Sequence, residues 1–274
     1  MPQIADLSDR IADDAVTNYL GRIGVAGPLQ SDFRTLALLQ QAHLDAVPFE
    51  NLSIHLGEPI VLTLDALVDK IVGSRRGGFC YELNGAFGAL LATLGFRVTL
   101  MAARVFDGKG GWGPPFDHLA LRVDLEEAWL VDVGFGAFSR QPLRLTARDE
   151  QSDGEARFLL IDADHGDVEV HMDDKPNYLL DLRPRALADF IATCWWQQTS
   201  PLSHFTRSLV CSLPTPTGRV TLSDRVLIRT DNGERSRTSF ESDQEILAAY
   251  EQYFGIRLSM CPHLRAVQRP ASAS

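Results

Sequence analysis

The spacing of apolar residues changes at Gly95, and that change constrains the fold more than any other feature of this 274-residue sequence. Before Gly95 the apolar positions recur at three- and four-residue intervals, the repeat of helices that bury one face. Ser8 or Asp9 is placed to cap a helix reaching Leu20, Ser31 and Asp32 precede the run from Phe33 to Leu39, and Thr63 precedes Leu64 to Val72. After Gly95 the pattern becomes short alternating or β-branched runs: Val98 to Val105, His118 to Val123, Trp129 to Val133, Arg157 to Ile161 and Asp167 to His171. These predict antiparallel strands. A helix is expected from Pro184 to about Trp196. Beyond Pro201, strands are expected at Ser208 to Leu213, Arg219 to Leu222 and Arg225 to Thr230, then a last helix from Asp243 to Tyr253. The tail from Pro270 to Ser274 is expected to fray. Helices, then strands, then a mixed region imply an α+β fold with segregated parts.

The net charge of -10, from 26 Lys plus Arg against 36 Asp plus Glu, argues against nucleic-acid binding and against docking on anionic membranes. It leaves room for an anionic cofactor. The four cysteines, Cys80, Cys194, Cys211 and Cys261, form no C-x-x-C pair, so the sequence predicts neither a zinc ribbon nor a dense disulfide framework. A reducing cytoplasm is the expected setting. No basic-then-apolar leader is visible, and no apolar run approaches the ~18 residues needed to span a bilayer.

One cysteine stands apart. In Arg75-Arg76-Gly77-Gly78-Phe79-Cys80-Tyr81-Glu82-Leu83-Asn84, two glycines strip side chains from the approach to Cys80 and let the backbone turn sharply, and a helical pattern then runs from Tyr81 to Leu91. Cys80 would lie in the first helical turn, where free N–H groups, the helix dipole and Arg76 favour thiolate over thiol. A buried cysteine packed as a small hydrophobe is the competing reading. A nucleophile needs a base and a group to orient that base. His118 opens its strand directly after the loop from Gly108 to Pro115, and Asp132 sits among apolar neighbours at a strand end, where a buried carboxylate requires strong hydrogen bonds. His204 in Ser203-His204-Phe205 is the rival base. No H-E-x-x-H or paired Cys/His spacing marks a metal site, so no metal is expected.

Taken together, Arg76-Gly77-Gly78-Phe79-Cys80, His118-Leu119-Ala120-Leu121 and Asp132-Val133-Gly134-Phe135-Gly136 resemble, in order and spacing, the arylamine N-acetyltransferases. Val47-Pro48-Phe49-Glu50-Asn51-Leu52, Tyr19-Leu20-Gly21-Arg22-Ile23-Gly24 and Ser203-His204-Phe205 add three more of that family's elements, over nearly the whole chain. The resemblance implies a Cys-His-Asp triad of Cys80, His118 and Asp132. It implies a helical domain over residues 1–95, a central antiparallel β-barrel-like domain over 96–183, a connecting helix over 184–200 and an α/β lid domain over 201–274, with a cysteine-proteinase-like core. It further implies acetyl-CoA as co-substrate and small aromatic amines or hydrazines as acceptors, handled in the cytoplasm by a monomer or homodimer.

Within that picture Trp112, Gly134, Phe135 and Gly136 are expected near the CoA arm, and Phe49, Phe135 and Phe205 at the acceptor. Arg76 is expected to tie the cysteine loop to Glu50 and Asn51. An amide synthase or another acyltransferase with a different donor, a thiol hydrolase, and a binding module without turnover are the alternatives. One departure stands out: Asp117 precedes His118 where many family members carry a small hydroxyl residue.

Overall fold

The computed structural model describes residues 10–264. The cap expected at Ser8 or Asp9 and the frayed tail lie outside these residues. The first segment is helical: α1 (Asp13–Arg22), α2 (Phe33–Ala46), then a two-residue strand β1 (Phe49–Glu50), then α3 (Leu52–Leu56), α4 (Leu64–Val68) and α5 (Cys80–Thr93). Local chemistry sets their ends. Asp32 caps α2 by accepting the Thr35 N–H at 2.8 Å. The helix expected to run to Val72 stays α-helical only to Val68 and continues as a wider π turn from Asp69 to Gly73.

Eight antiparallel strands follow: β2 (Arg97–Val105), β3 (His118–Asp124), β4 (Ala128–Val131), β5 (Leu143–Arg144), β6 (Gln151–Ser152), β7 (Arg157–Asp162), β8 (Val168–Met172) and β9 (Lys175–Arg185). They pair in the order β5-β4-β3-β2-β9-β8-β7-β6. The Gln151 side chain of edge strand β6 accepts the Arg144 N–H of the other edge at 2.7 Å and donates to its carbonyl at 3.1 Å. That pair of bonds draws the sheet nearly closed into a barrel.

Strands β2 and β3 are buried on both faces. Leu100, Ala102, Leu119 and Leu121 face a core shared with α2 and α5, whereas Met101, Ala103 and Ala120 face the barrel interior with Phe158, Val170 and Leu180. This explains why their sequences are continuously apolar rather than cleanly alternating. The helical segment and the barrel therefore share one hydrophobic core.

The third region holds α6 (Ile191–Thr199), α7 (His204–Arg207), β10 (Val210–Thr215), β11 (Gly218–Ser223), β12 (Val226–Asp231), β13 (Glu234–Ser239) and α8 (Asp243–Phe254). Ser242 and Glu245 form a capping box at the start of α8, which packs Ile246, Tyr250 and Phe254 on Cys211, Leu222 and Leu227 of the sheet. This sheet is ordered β1-β10-β11-β12-β13. Its first strand thus comes from the N-terminal segment, a crossing the sequence reading did not contain. Pro184, expected to open a helix, lies instead in β9 near a shift in register between Leu100 and Ala102; a proline fits where the ladder is already broken.

Candidate active site

Cys80 is the first residue of α5, reached through a loop that the sequence reading had only partly explained. The left-handed position in that loop is Arg75, at φ 50°, and not either glycine. The glycines serve close approach instead. A Cβ on Gly77 would stand 1.9 Å from the Pro48 carbonyl oxygen, and one on Gly78 would stand 2.7 Å from Glu82 Cβ. The contact exists because the Glu50 N–H donates to the Gly78 carbonyl at 2.8 Å, which lays the loop flat against β1.

Arg76 holds that arrangement from below. Its guanidinium donates to Glu50 at 3.0 Å through Nε, to Glu58 at 3.2 Å through Nη1 and to Ser53 at 3.3 Å through Nη2. Glu50 is fully buried; burial pushes its carboxyl up, but the charges of Lys70 and Arg76 and the Leu52 N–H outweigh this and hold it below the usual range. Asn51 lies beside this pair without joining it. Its amide donates to the Phe205 and Ser208 carbonyls and accepts the Val210 N–H at 2.9 Å, so it fastens α7 and β10 rather than the cysteine loop.

His118 opens β3 and Asp132 follows β4, neighbouring strands that bring His118 Nε2 to 2.6 Å from Asp132 Oδ2. The other carboxylate oxygen accepts from the Gly134 N–H at 2.9 Å and from Asn84 Nδ2 at 2.8 Å. Asn84 also donates to the Leu119 carbonyl and accepts the Val133 N–H. One turn separates Cys80 from Asn84, so a single face of α5 presents both the thiol and the clamp on Asp132. Sequence reasoning missed Asn84. The available signal was a polar residue four positions after the cysteine in an otherwise apolar helix. The His118 ring is wedged by Phe135 and Tyr178, each with centroids 5.2 Å away.

The expected acidity of Cys80 is corrected. Burial pushes its thiol well up, assisted by the charges of Asp117 and Asp132, while the Leu119 N–H pulls the other way. Removal from water outweighs the helix start, and Arg76 is spent on Glu50 and Glu58. The thiol acts as an acid here only if its proton has a nearby receiver.

Cys80 and His118 open onto one cleft of about 880 Å³. Phe49, Gly134, Phe135, Gly136 and Phe205 line it; Trp112 does not. Its ring packs on Phe106 at 5.6 Å and faces a separate hollow with Arg104 and His165. The opposite wall comes from α7, β10 and β11 and includes His204, Arg207, Ser212, Arg219 and Thr221. Among the described residues no carboxylate pairs with His204, which weakens it as a rival base. Asp243, Cys261 and His263 place three potential metal-ligand atoms within 4.8 Å of one another, outside this cleft, but the Arg225 guanidinium already sits on Asp243.

A family model described as N-acetyltransferase matches residues 32–262. The pineal gland isozyme NAT-3 of arylamine N-acetyltransferase from Gallus gallus is 34% identical over 273 residues, covering 89% of this chain and 94% of the relative. The chain belongs to the arylamine N-acetyltransferase family. The Mycolicibacterium smegmatis arylamine N-acetyltransferase is 35% identical over 252 residues, covering 88% of this chain and 91% of its own. Among solved structures, the Salmonella typhimurium arylamine N-acetyltransferase superposes with a TM-score of 0.83 at 29% identity, covering 90% and 92% of the two chains. The Mycobacterium marinum arylamine N-acetyltransferase in complex with CoA does so with a TM-score of 0.80 at 31% identity, covering 88% and 92%. The helical, barrel-like and α/β parts of this acetyltransferase are those of its family. Among the described residues no helix is long and apolar enough to cross a membrane.

Proposed function

We propose that this acetyltransferase moves an acetyl group from acetyl-CoA to aromatic amines and hydrazines through an acetyl thioester on Cys80. One observation carries the reading: helix α5 and the barrel bring a cysteine and a carboxylate-held histidine onto the floor of one cleft. Asp132 occupies Nε2 of His118, so Nδ1 is the ring nitrogen left to exchange a proton with the thiol. His118 takes the Cys80 proton, and the sulfur attacks the thioester carbonyl; the bond from carbonyl carbon to CoA sulfur breaks, and His118 returns the proton to the leaving thiolate. The amine nitrogen then attacks acetyl-Cys80, gives a proton to His118 and expels the sulfur. Asp132 fixes the ring tautomer and supports its positive charge, and Asn84 positions Asp132.

Burial of the thiol fits this cycle. A thiolate that exists only beside an imidazolium is protected from other electrophiles until the donor arrives. Phosphates of CoA suit the far wall, where half-buried Arg219 donates to the Ser212 hydroxyl at 2.9 Å with no carboxylate pairing it among the described residues. Burial and the nearby Arg140 charge push its guanidinium down, the condition of a cation that gains from an anionic ligand. In this reading residues 1–95 carry the nucleophile, 96–183 the base and its acid, 184–200 the connection and 201–274 the lid. The cysteines are free and buried, in keeping with a cytoplasmic enzyme.

The test mixes stoichiometric enzyme with acetyl-CoA before any amine. The expected result is a burst of free CoA equal to enzyme and an acetyl adduct on Cys80 that an aromatic amine discharges. An adduct on Cys194, Cys211 or Cys261, or none, overturns the reading. Steady release of acetate without amine makes the protein a thiol hydrolase. Iodoacetamide supplies a second readout: His118→Asn should shift the alkylation profile of Cys80 to higher pH.

A further inference from the structure

Asp117 is not used by the acetyl-transfer cycle, yet it lines the cleft beside the reacting groups. Its carbonyl oxygen accepts the Tyr81 hydroxyl at 3.2 Å and lies 3.9 Å from Cys80 Sγ. Its carboxylate is aimed by a relay: Gln197 Nε2 donates to Asp117 Oδ1 at 2.5 Å, and the Ser203 hydroxyl donates to Gln197 Oε1 at 2.5 Å. The relay orients the amide so that its N–H faces Asp117, the arrangement that suits an ionised acceptor. Burial pushes this carboxyl up, the charges of the His118 ring, when protonated, and of Arg104 pull it down, and among the described residues neither cation forms an ion pair with it. Arg104 instead donates to the Gly113 carbonyl at 2.8 Å.

Of the other charged side chains on the cleft, Asp107 is exposed to water, and Arg207 and Arg219 stand on the opposite wall. Asp107 is bound to the Lys109 and Gly111 N–H groups of its own loop. Arg207 donates to the Ser203 and Leu202 carbonyls, and Arg219 to Ser212, all on the wall formed by the third region. An acceptor whose nitrogen reaches Cys80 among Phe49, Phe135 and Phe205 therefore meets in Asp117 a half-buried carboxylate without an ion pair among the described residues, in a setting that water screens poorly.

We propose that Asp117 is a specificity-determining residue that sorts acceptors by charge, admitting neutral and cationic aromatic amines and disfavouring those with an anionic ring substituent. The proposal rests on the acetyl-Cys80 reading above. In that cycle CoA leaves before the acceptor binds, so acceptor choice is made by the acetylated enzyme alone, and repulsion from Asp117 acts on the second half-reaction only.

The experiment uses three acceptors of nearly one shape: 4-aminobenzoate, 4-aminobenzamide and 4-aminobenzamidine, which are anionic, neutral and cationic. The CoA burst is measured first in each protein, so failure of the acetyl-Cys80 reading is seen before any acceptor is added. Asp117→Asn keeps an oxygen for Gln197 and removes the charge. With the burst intact, it should raise kcat/KM for the benzoate relative to the benzamide about tenfold and lower that for the benzamidine by a similar factor. A merely structural role would slow all three alike. Unchanged ratios overturn the proposal. If Asp117→Asn does not fold, Asp117→Thr replaces it. If neither folds, the wild-type order, normalised to each amine's reactivity with a simple acetyl thioester, decides: a benzoate at least as good as the benzamide refutes the sorting, and the reverse order upholds it.

Discussion

Gly134 and Gly233 both follow a strand, yet one is walled in and the other looks onto open space. A Cβ on Gly134 would lie 2.6 Å from Cys80 Cα and 2.7 Å from Asn84 Nδ2. A Cβ on Gly233, in the turn between β12 and β13, would meet nothing within 4 Å. The surroundings repeat the contrast. Every residue of α5 from Cys80 to Leu91 is buried, and every residue of β13 is exposed. At the seam between α5 and the barrel, side-chain packing specifies the geometry, and a single atom out of place moves Cys80 against His118. At the hairpin, backbone pairing specifies it, and side chains are nearly free to vary. The active site is built where the fold has least slack.

The largest test of that contrast lies just under the seam. Arg76→Ala leaves Glu50 buried without its principal partner and should cost about 3–5 kcal/mol in urea unfolding, whereas replacing both by apolar residues of similar size should recover most of it. Gly134→Ala should cost about 2–3 kcal/mol through overpacking and abolish the CoA burst. Gly233→Ala, strained only by its φ of 83°, should cost about 1 kcal/mol and leave the burst untouched. Equal losses at the two glycines would break the comparison.

Asn84→Ala should destabilise by about 1–3 kcal/mol, since the Val133 N–H and one Asp132 oxygen lose buried partners. It should also lower kcat about 10²-fold by loosening Asp132, with Asn84→Asp failing to rescue because a second carboxylate would face the first. The smallest effect reads the helical side of the core. Burial pushes His43 down to about 3, and its Nδ1 faces the Tyr19 hydroxyl at 3.1 Å. Below an unfolded value of 6.5 the unfolded chain binds a proton that the native protein refuses, so this contribution is complete above pH 6.5 and shrinks as pH falls toward 3. Stability should drop by about 1 kcal/mol between pH 7 and 5.5 from this group. His43→Met should flatten that part of the profile.

Elements with one-dimensional signals were legible in the sequence. The strands at Arg97–Val105 and His118–Asp124 and the helix at Asp243–Phe254 lie within one or two residues of their expected bounds because apolar spacing and a Ser-x-x-Glu cap mark them. Strand β13 was invisible because Glu-Arg-Ser-Arg-Thr-Ser carries no apolar residue; it is held by pairing with β12 alone. Strand β1 was invisible because two residues have no period. Cys80, His118 and Asp132 stood out by residue type and order. Asn84 and the burial of the thiol depend on what packs around them, and no local pattern reports that. Glycine at 77 and 78 is required by close neighbours, the Pro48 carbonyl at one and the Glu82 side chain at the other, and not by the turn.

Two residues, Phe49 and Glu50, pair with β10 through Ser212 and Cys211, and the same short stretch reaches Gly78 of the cysteine loop on its other side. The lid is therefore not a detachable accessory. A chain cut before Val210 would strip one neighbour from the segment that braces the Cys80 loop and leave an unpaired edge beside it, an invitation to self-association. Protein engineers who want a minimal version of this catalyst must keep its last strands.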